Sequence, residues 1–145
     1  MTTTASTTMF KSSLNSEQNE NFIEKIEDKN KLNEYINNNM ICVLDFCAPW
    51  CNPCNKLSPY LHELSTKYTE VCFIKIDVDI HSNIAELYNI TSLPTVLILY
   101  YGKQFDLITG YNTKTVETIT QKIDYLQKEN TTGGNTHDNP ELTNI

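Results

Sequence analysis

Arginine is absent from this 145-residue sequence, and its eleven lysines are outnumbered by eighteen acids, leaving a formal charge of −7. A nucleic-acid binder needs a basic face to neutralise phosphates, so that partner class is excluded. Long apolar runs are missing too. A stretch such as Val96-Leu97-Ile98-Leu99-Tyr100-Tyr101 falls far short of a membrane span, and no membrane partner is expected. The N-terminus has no continuous apolar segment of the secretory type, and no endoplasmic-reticulum retention signal ends the chain. The three histidines, His62, His81 and His137, are scattered and lack zinc-ligand spacing. There is no internal repeat.

What is present is a real core and a concentration of sulfur. The chain is 39% hydrophobic, with one Trp, eight Tyr and five Phe. It has five cysteines, an odd number that argues against a structural disulfide framework. In a chain without a secretory signal, a CxxC is more readily catalytic or metal-binding than structural. Cys47-Ala48-Pro49-Trp50-Cys51-Asn52-Pro53-Cys54 contains three of the five cysteines. Read as C-x3-C-x2-C, it has the spacing that holds an iron–sulfur cluster in radical enzymes. Read as W-C-x-P-C, it is a redox dithiol. Radical chemistry normally uses an α/β barrel of about 200 residues or more, which this chain is too short to build.

The ends differ from the middle. Residues 1–21, rich in Thr, Ser and Asn, and residues 130–145, with Gly133-Gly134 and Asn139-Pro140, read as disordered tails around one domain at 22–129. The hydroxyl-rich N-terminus has a faint likeness to an organelle transit peptide but carries only Lys11 as a cation. The expected compartment is therefore the cytoplasm, with organelle import as the alternative.

Between the tails the elements alternate. Phe22–Ile26 reads as a short strand, and Lys31–Asn37, with Leu32, Tyr35 and Ile36, as a helix. Met40–Phe46 is a nearly continuous apolar run broken by Asp45, which suits a central strand. Leu57, Leu61, Leu64 and Tyr68 mark an amphipathic helix, kinked at Pro59, and Val71–Val78 is a second buried strand. A short helix around Ile84, Leu87 and Tyr88, a hairpin of Thr95–Tyr100 with Gln104–Thr109, and a last helix through Val116, Ile119, Ile123 and Leu126 complete the order βαβαβαββα. That order predicts a sheet with helices on both faces. Cys42 and Cys72 fall inside core strands and read as packing.

The CxxC then lies where a core strand meets a helix. Pro53 suits the first helical turn, whose N–H groups have no partner. Cys51 sits at the helix N-terminus, where the dipole and free N–H groups favour a thiolate. Cys54, one turn on, points inward and can reach back, which separates an exposed attacking sulfur from a buried resolving one.

Val43-Leu44-Asp45-Phe46-Cys47-Ala48-Pro49-Trp50-Cys51-Asn52-Pro53-Cys54 resembles the active-site strand and loop of the thioredoxin family. Thr91-Ser92-Leu93-Pro94-Thr95 resembles that family's cis-proline loop, Lys75-Ile76-Asp77-Val78-Asp79 its second core strand, and Gly110 its late glycine. The resemblance spans residues 22 to 129 and implies the thioredoxin fold, a central mixed sheet flanked by helices on both faces. It implies a protein-disulfide reductase with Cys51 attacking and Cys54 resolving. Asp45 would take the proton from Cys54, its carboxyl raised by burial. Pro94 would be cis and lie against the disulfide, exposing the backbone of Leu93 to an extended substrate. Trp50, Leu93, Gly110 and Tyr111 would form a flat apolar rim. Disulfide-containing proteins would be the partners, a thioredoxin reductase drawing on NADPH would restore the dithiol, the protein would hold no cofactor or metal of its own, and it would act as a monomer.

Two positions depart from the family pattern. Asn52 stands where glycine is usual, so an altered reduction potential is expected. Cys47 reads as a buried inert thiol, with a third redox sulfur, or a metal site shared with Cys51 and Cys54, as the alternative. A binding or chaperone module with incidental cysteines is a further alternative.

Overall fold

The computed structural model describes residues 20–131. The expected tails otherwise lie outside those residues. The element order is β1 (Phe22–Ile23), α1 (Lys29–Asn38), β2 (Ile41–Cys47), α2 (Asn52–Lys67), β3 (Cys72–Asp77), α3 (Ser82–Leu87), β4 (Thr95–Tyr100), β5 (Lys103–Thr109) and α4 (Thr115–Thr131). The strands form one mixed sheet in the order β1-β3-β2-β4-β5. The two crossovers through α1 and α2 make β1, β3 and β2 parallel, and the β4–β5 hairpin adds the antiparallel half.

Strand alternation divides the core in two. Phe22, Val43, Phe73, Val96 and Ile98 face Leu57, Leu61 and Leu64 of α2 and Ile119, Ile123 and Leu126 of α4. Leu44, Phe46, Ile74, Ile76 and Leu97 face Leu32 and Ile36 of α1 and Ile84 of α3. β2 is buried along its whole length, as a strand covered on both faces must be. Cys42 and Cys72 are register partners in the second of these layers, which bears out their reading as packing residues.

The boundaries differ in places from the sequence reading. β1 stops at Ile23 because the chain must turn to reach Asp28, whose side chain caps α1 by accepting from the Lys31 N–H at 2.9 Å. Asn21, the last residue of the expected N-terminal tail, is tied into the fold. Its side-chain nitrogen donates to the carbonyls of Ser65, Tyr68 and Val71 at 2.9–3.1 Å, and its own carbonyl accepts from the Phe73 N–H. α4 continues through Asn130 and Thr131, past the expected start of the C-terminal tail. α2 continues through Pro59 as one sixteen-residue helix.

Candidate active site

The site is built where β2 hands the chain to α2. Cys51 is the N-cap of α2, with extended backbone, and its Sγ accepts from the Cys54 N–H at 3.2 Å. Pro53 occupies the first turn, where its missing N–H costs nothing. Cys51 and Cys54 are joined as a disulfide with Cα atoms 5.2 Å apart. Both sulfurs belong to a small cluster with Cys47 and Ala48. Cys51 is only 5% exposed, which corrects the expectation of an open attacking sulfur. In the oxidised state its neighbours cover it: Cys47, Ala48 and Cys54 cluster with it, and Val78 and Leu93 pack against that cluster.

The Leu93–Pro94 peptide bond is cis, as the resemblance implied. The loop carrying it is fastened at both ends: the Gly110 N–H donates to the Pro94 carbonyl at 2.8 Å, and the Thr95 hydroxyl donates to the Ser92 carbonyl at 2.7 Å. Gly110 has φ near +80°, a conformation that favours glycine. A groove of about 670 Å³ runs between this loop and the helix end, lined by Trp50, Cys51, Pro53, Val78, Ile90 and Leu93 among others. Trp50 and Leu93 therefore both sit at the groove, with Trp50 69% exposed. Gly110, expected in the rim, does not line the groove; it supports the cis-proline loop through its N–H. Tyr111 is half-buried against the core beneath α2 and α4 and stacks on Tyr60 with ring centroids 6.4 Å apart, so it does not line the groove.

Asp45 is 3% exposed, its Oδ1 finds no hydrogen-bond partner among the described residues, and its place two residues after Val43 puts it on the sheet face that α2 covers. Burial pushes its carboxyl up to about 7 from the ordinary 3.8, against the opposing pull of Lys75, its register partner on β3. A recess of about 270 Å³ is lined by Cys54, Cys47, Asp77 and Lys75, the last being the register partner of Asp45. Cys47 is buried, its Sγ donates to the Ile76 carbonyl at 3.8 Å, and burial, then the neighbouring Asp45, pushes its thiol up to about 12. A thiol so held is a poor nucleophile at neutral pH. Among the described residues no group of three His, Cys, Asp or Glu side chains is placed to hold a metal ion.

Sequence reasoning misses Asp79. Its Oδ2 accepts from the Trp50 indole N–H at 3.0 Å, and an aspartate turn (Asp79 N–H to Asp77 Oδ1, 2.9 Å) holds it in place. The one signal in the chain is the Asp77-Val78-Asp79 alternation at the end of β3, which by pattern alone reads as strand.

Comparison with known proteins agrees with this geometry. A family model described as thioredoxin matches residues 13–125. Thioredoxin 1 of Plasmodium falciparum is 33% identical over 100 residues, covering 69% of this chain and 96% of that protein. Thioredoxin H8 of Arabidopsis thaliana is 37% identical over 89 residues; the match covers 61% of this chain and 60% of that protein. The crystal structure of oxidised mitochondrial thioredoxin 3 from Saccharomyces cerevisiae superposes with a TM-score of 0.66 at 32% identity, covering 72% of this chain and 95% of that one.

Proposed function

The chain belongs to the thioredoxin family of protein thiol–disulfide oxidoreductases, and on that premise we propose that it reduces disulfides in partner proteins, with Cys51 attacking and Cys54 resolving. The observation that carries this reading is the disulfide at the N-cap of α2, facing a groove whose opposite wall is the cis-proline loop.

The reaction begins from the dithiol. The helix end stabilises the Cys51 thiolate, which attacks one sulfur of a substrate disulfide. A Cys51–substrate bond forms, the substrate S–S bond breaks, and the first substrate sulfur leaves as thiolate. Trp50 and Leu93 flank the attacked bond, and the Leu93 backbone pairs with an extended substrate segment. Cys54 then gives its proton to the Asp45 carboxylate and attacks the Cys51 sulfur. The Cys51–Cys54 disulfide forms, the mixed disulfide breaks, and the second substrate sulfur departs. Two electrons have passed from the dithiol to the substrate. An acid near pH 7 is matched to this transfer, because close to neutrality much of it is ionised and ready to accept the proton.

Electrons are proposed to come from NADPH through a thioredoxin reductase. The compartment is proposed to be the cytoplasm, whose reducing poise suits the free thiols of Cys42, Cys47 and Cys72. Reduction of insulin with dithiothreitol as electron source tests the central reading without any reductase. The wild type is expected to accelerate precipitation of the insulin chains, and Cys51→Ser to do nothing above background. Equal activity of the two proteins would establish the alternative of a binding module with incidental cysteines.

A further inference from the structure

Glu24 lies just beyond the end of β1. The ladder pairs Phe22 with Phe73 and Ile23 with Ile74, so the next residues along the two parallel strands are Glu24 and Lys75. Lys75 is in turn the register partner of Asp45. Phe22, Phe73 and Val43 all face α2, and side chains alternate along a strand. Two residues on, Glu24, Lys75 and Asp45 therefore form a row across that same face, with the lysine in the middle.

Glu24 is held there. Its Oε2 lies 2.6 Å from Nε2 of His62 on α2, and the His62 ring stacks on Phe22, with centroids 4.0 Å apart and planes 7° from parallel. The clamp comes from the same helix that carries Cys54 in its first turn. The resolving thiol and the carboxylate's anchor are thus parts of one rigid element.

We propose that Glu24 is a positioning residue for the resolving step: fixed by His62, its negative charge competes with Asp45 for the Lys75 ammonium and so keeps Asp45 able to hold and release a proton. This rests on the reading that Asp45 takes the proton of Cys54. The charges around Asp45 agree with it. Burial raises the carboxyl most, Lys75 opposes that, and Glu24 adds to it. Other titratable groups on this side are Cys47 of β2, Asp77 of β3, and Cys54 and His62 of α2, with Tyr68, Tyr100 and Tyr111 in the same layer. The register partner of Asp45 on β4, Val96, is apolar, and α4 turns Ile119 and Ile123 to this layer.

The test is a carbon-13 NMR titration of the Asp45 carboxyl in the full-length oxidised protein, where Cys51 and Cys54 do not titrate. Glu24→Gln removes a charge from an exposed site, where substitutions seldom threaten the fold. It is expected to lower the Asp45 midpoint by roughly half a pH unit, the size of one partly screened charge at this range. The pH profile of the Cys54 release step is expected to move in the same direction. Glu24→Asp, which keeps the charge, is expected to retain the wild-type midpoint. An unchanged midpoint in Glu24→Gln, or an equal shift in both variants, overturns the proposal. The release-step profile of Asp45→Asn separates the two levels. An unaltered profile there removes Asp45 from the mechanism, and the role of Glu24 with it. An altered profile alongside an unmoved midpoint in Glu24→Gln removes Glu24 alone.

Discussion

Asp45 is an acid placed where an acid is expensive to ionise. Its carboxyl rises from 3.8 to about 7 on folding, so between those values the unfolded chain gives up this proton while the folded chain keeps it. The stabilising contribution of the neutral form is complete below about pH 4 and is lost as pH rises through 7, amounting to on the order of 4 kcal/mol. Asp45→Asn cannot ionise and escapes that loss. The gain in stability from this substitution, measured by urea unfolding of oxidised protein, is expected to be larger at pH 8 than at pH 5 by roughly 2 kcal/mol or more. Parallel pH dependences for the two proteins would show that Asp45 ionises freely in the fold. The same substitution is expected to slow the release step near neutral pH. Cys47 calls for the opposite expectation. It is buried, bonded to the Ile76 carbonyl and held protonated, so Cys47→Ala should retain most reductase activity and lose about 1 kcal/mol of stability to a small cavity. Loss of turnover in that variant, measured by insulin reduction, would mean that three sulfurs take part.

At the scale of elements, the fold is tied together at the segment between α2 and β3, away from the active-site loop. Asn21 ties the end of α2 to the start of β3 through three carbonyls and, through its own carbonyl, the β3 backbone. Asn21→Ala removes the donor that these three carbonyls share and is expected to cost about 1–2 kcal/mol in urea unfolding. Because Asn21 is remote from the sulfurs, kcat and KM for insulin reduction should stay near wild type. A loss of activity without loss of stability would contradict this structural role. At the other end of β3, the turn at Asp77 and Asp79 holds the Trp50 indole. β3 thus joins the helix that carries Cys54 to the loop that carries the tryptophan.

For the whole molecule, function is the transient capture of another protein. The groove is open, its walls are Trp50 and the cis-proline loop, and Cys51 is among the residues that line it. Cys54→Ser keeps the first attack and removes the second. It is therefore expected to accumulate partner proteins as mixed disulfides on Cys51, released by dithiothreitol and seen as shifted bands on non-reducing gels. Capture by Cys51→Ser instead would reverse the two roles.

Much of this is legible in the chain itself. Helical and strand periodicity in each window marks every element in order, because the face a residue presents follows from local geometry. The Trp50-Cys51-Asn52-Pro53-Cys54 run at a strand–helix junction announces the dithiol, since a helix N-terminus is a local property as well. Tertiary structure decides the rest. Nothing near Trp50 in sequence names Asp79 as its partner, nothing near Glu24 names His62 or Lys75, and Tyr111 takes its place against Tyr60 across the fold. Cys51 is covered by groups that only chain folding brings over it. Asp45 reads from sequence as an acid in an apolar run, but its orphaned oxygen and its carboxyl near 7 follow from which strands and helices close around it. Periodicity sets which way a side chain points; strand register, summed over residues far apart in the chain, sets what it meets, and the proton chemistry of this site depends on what is met.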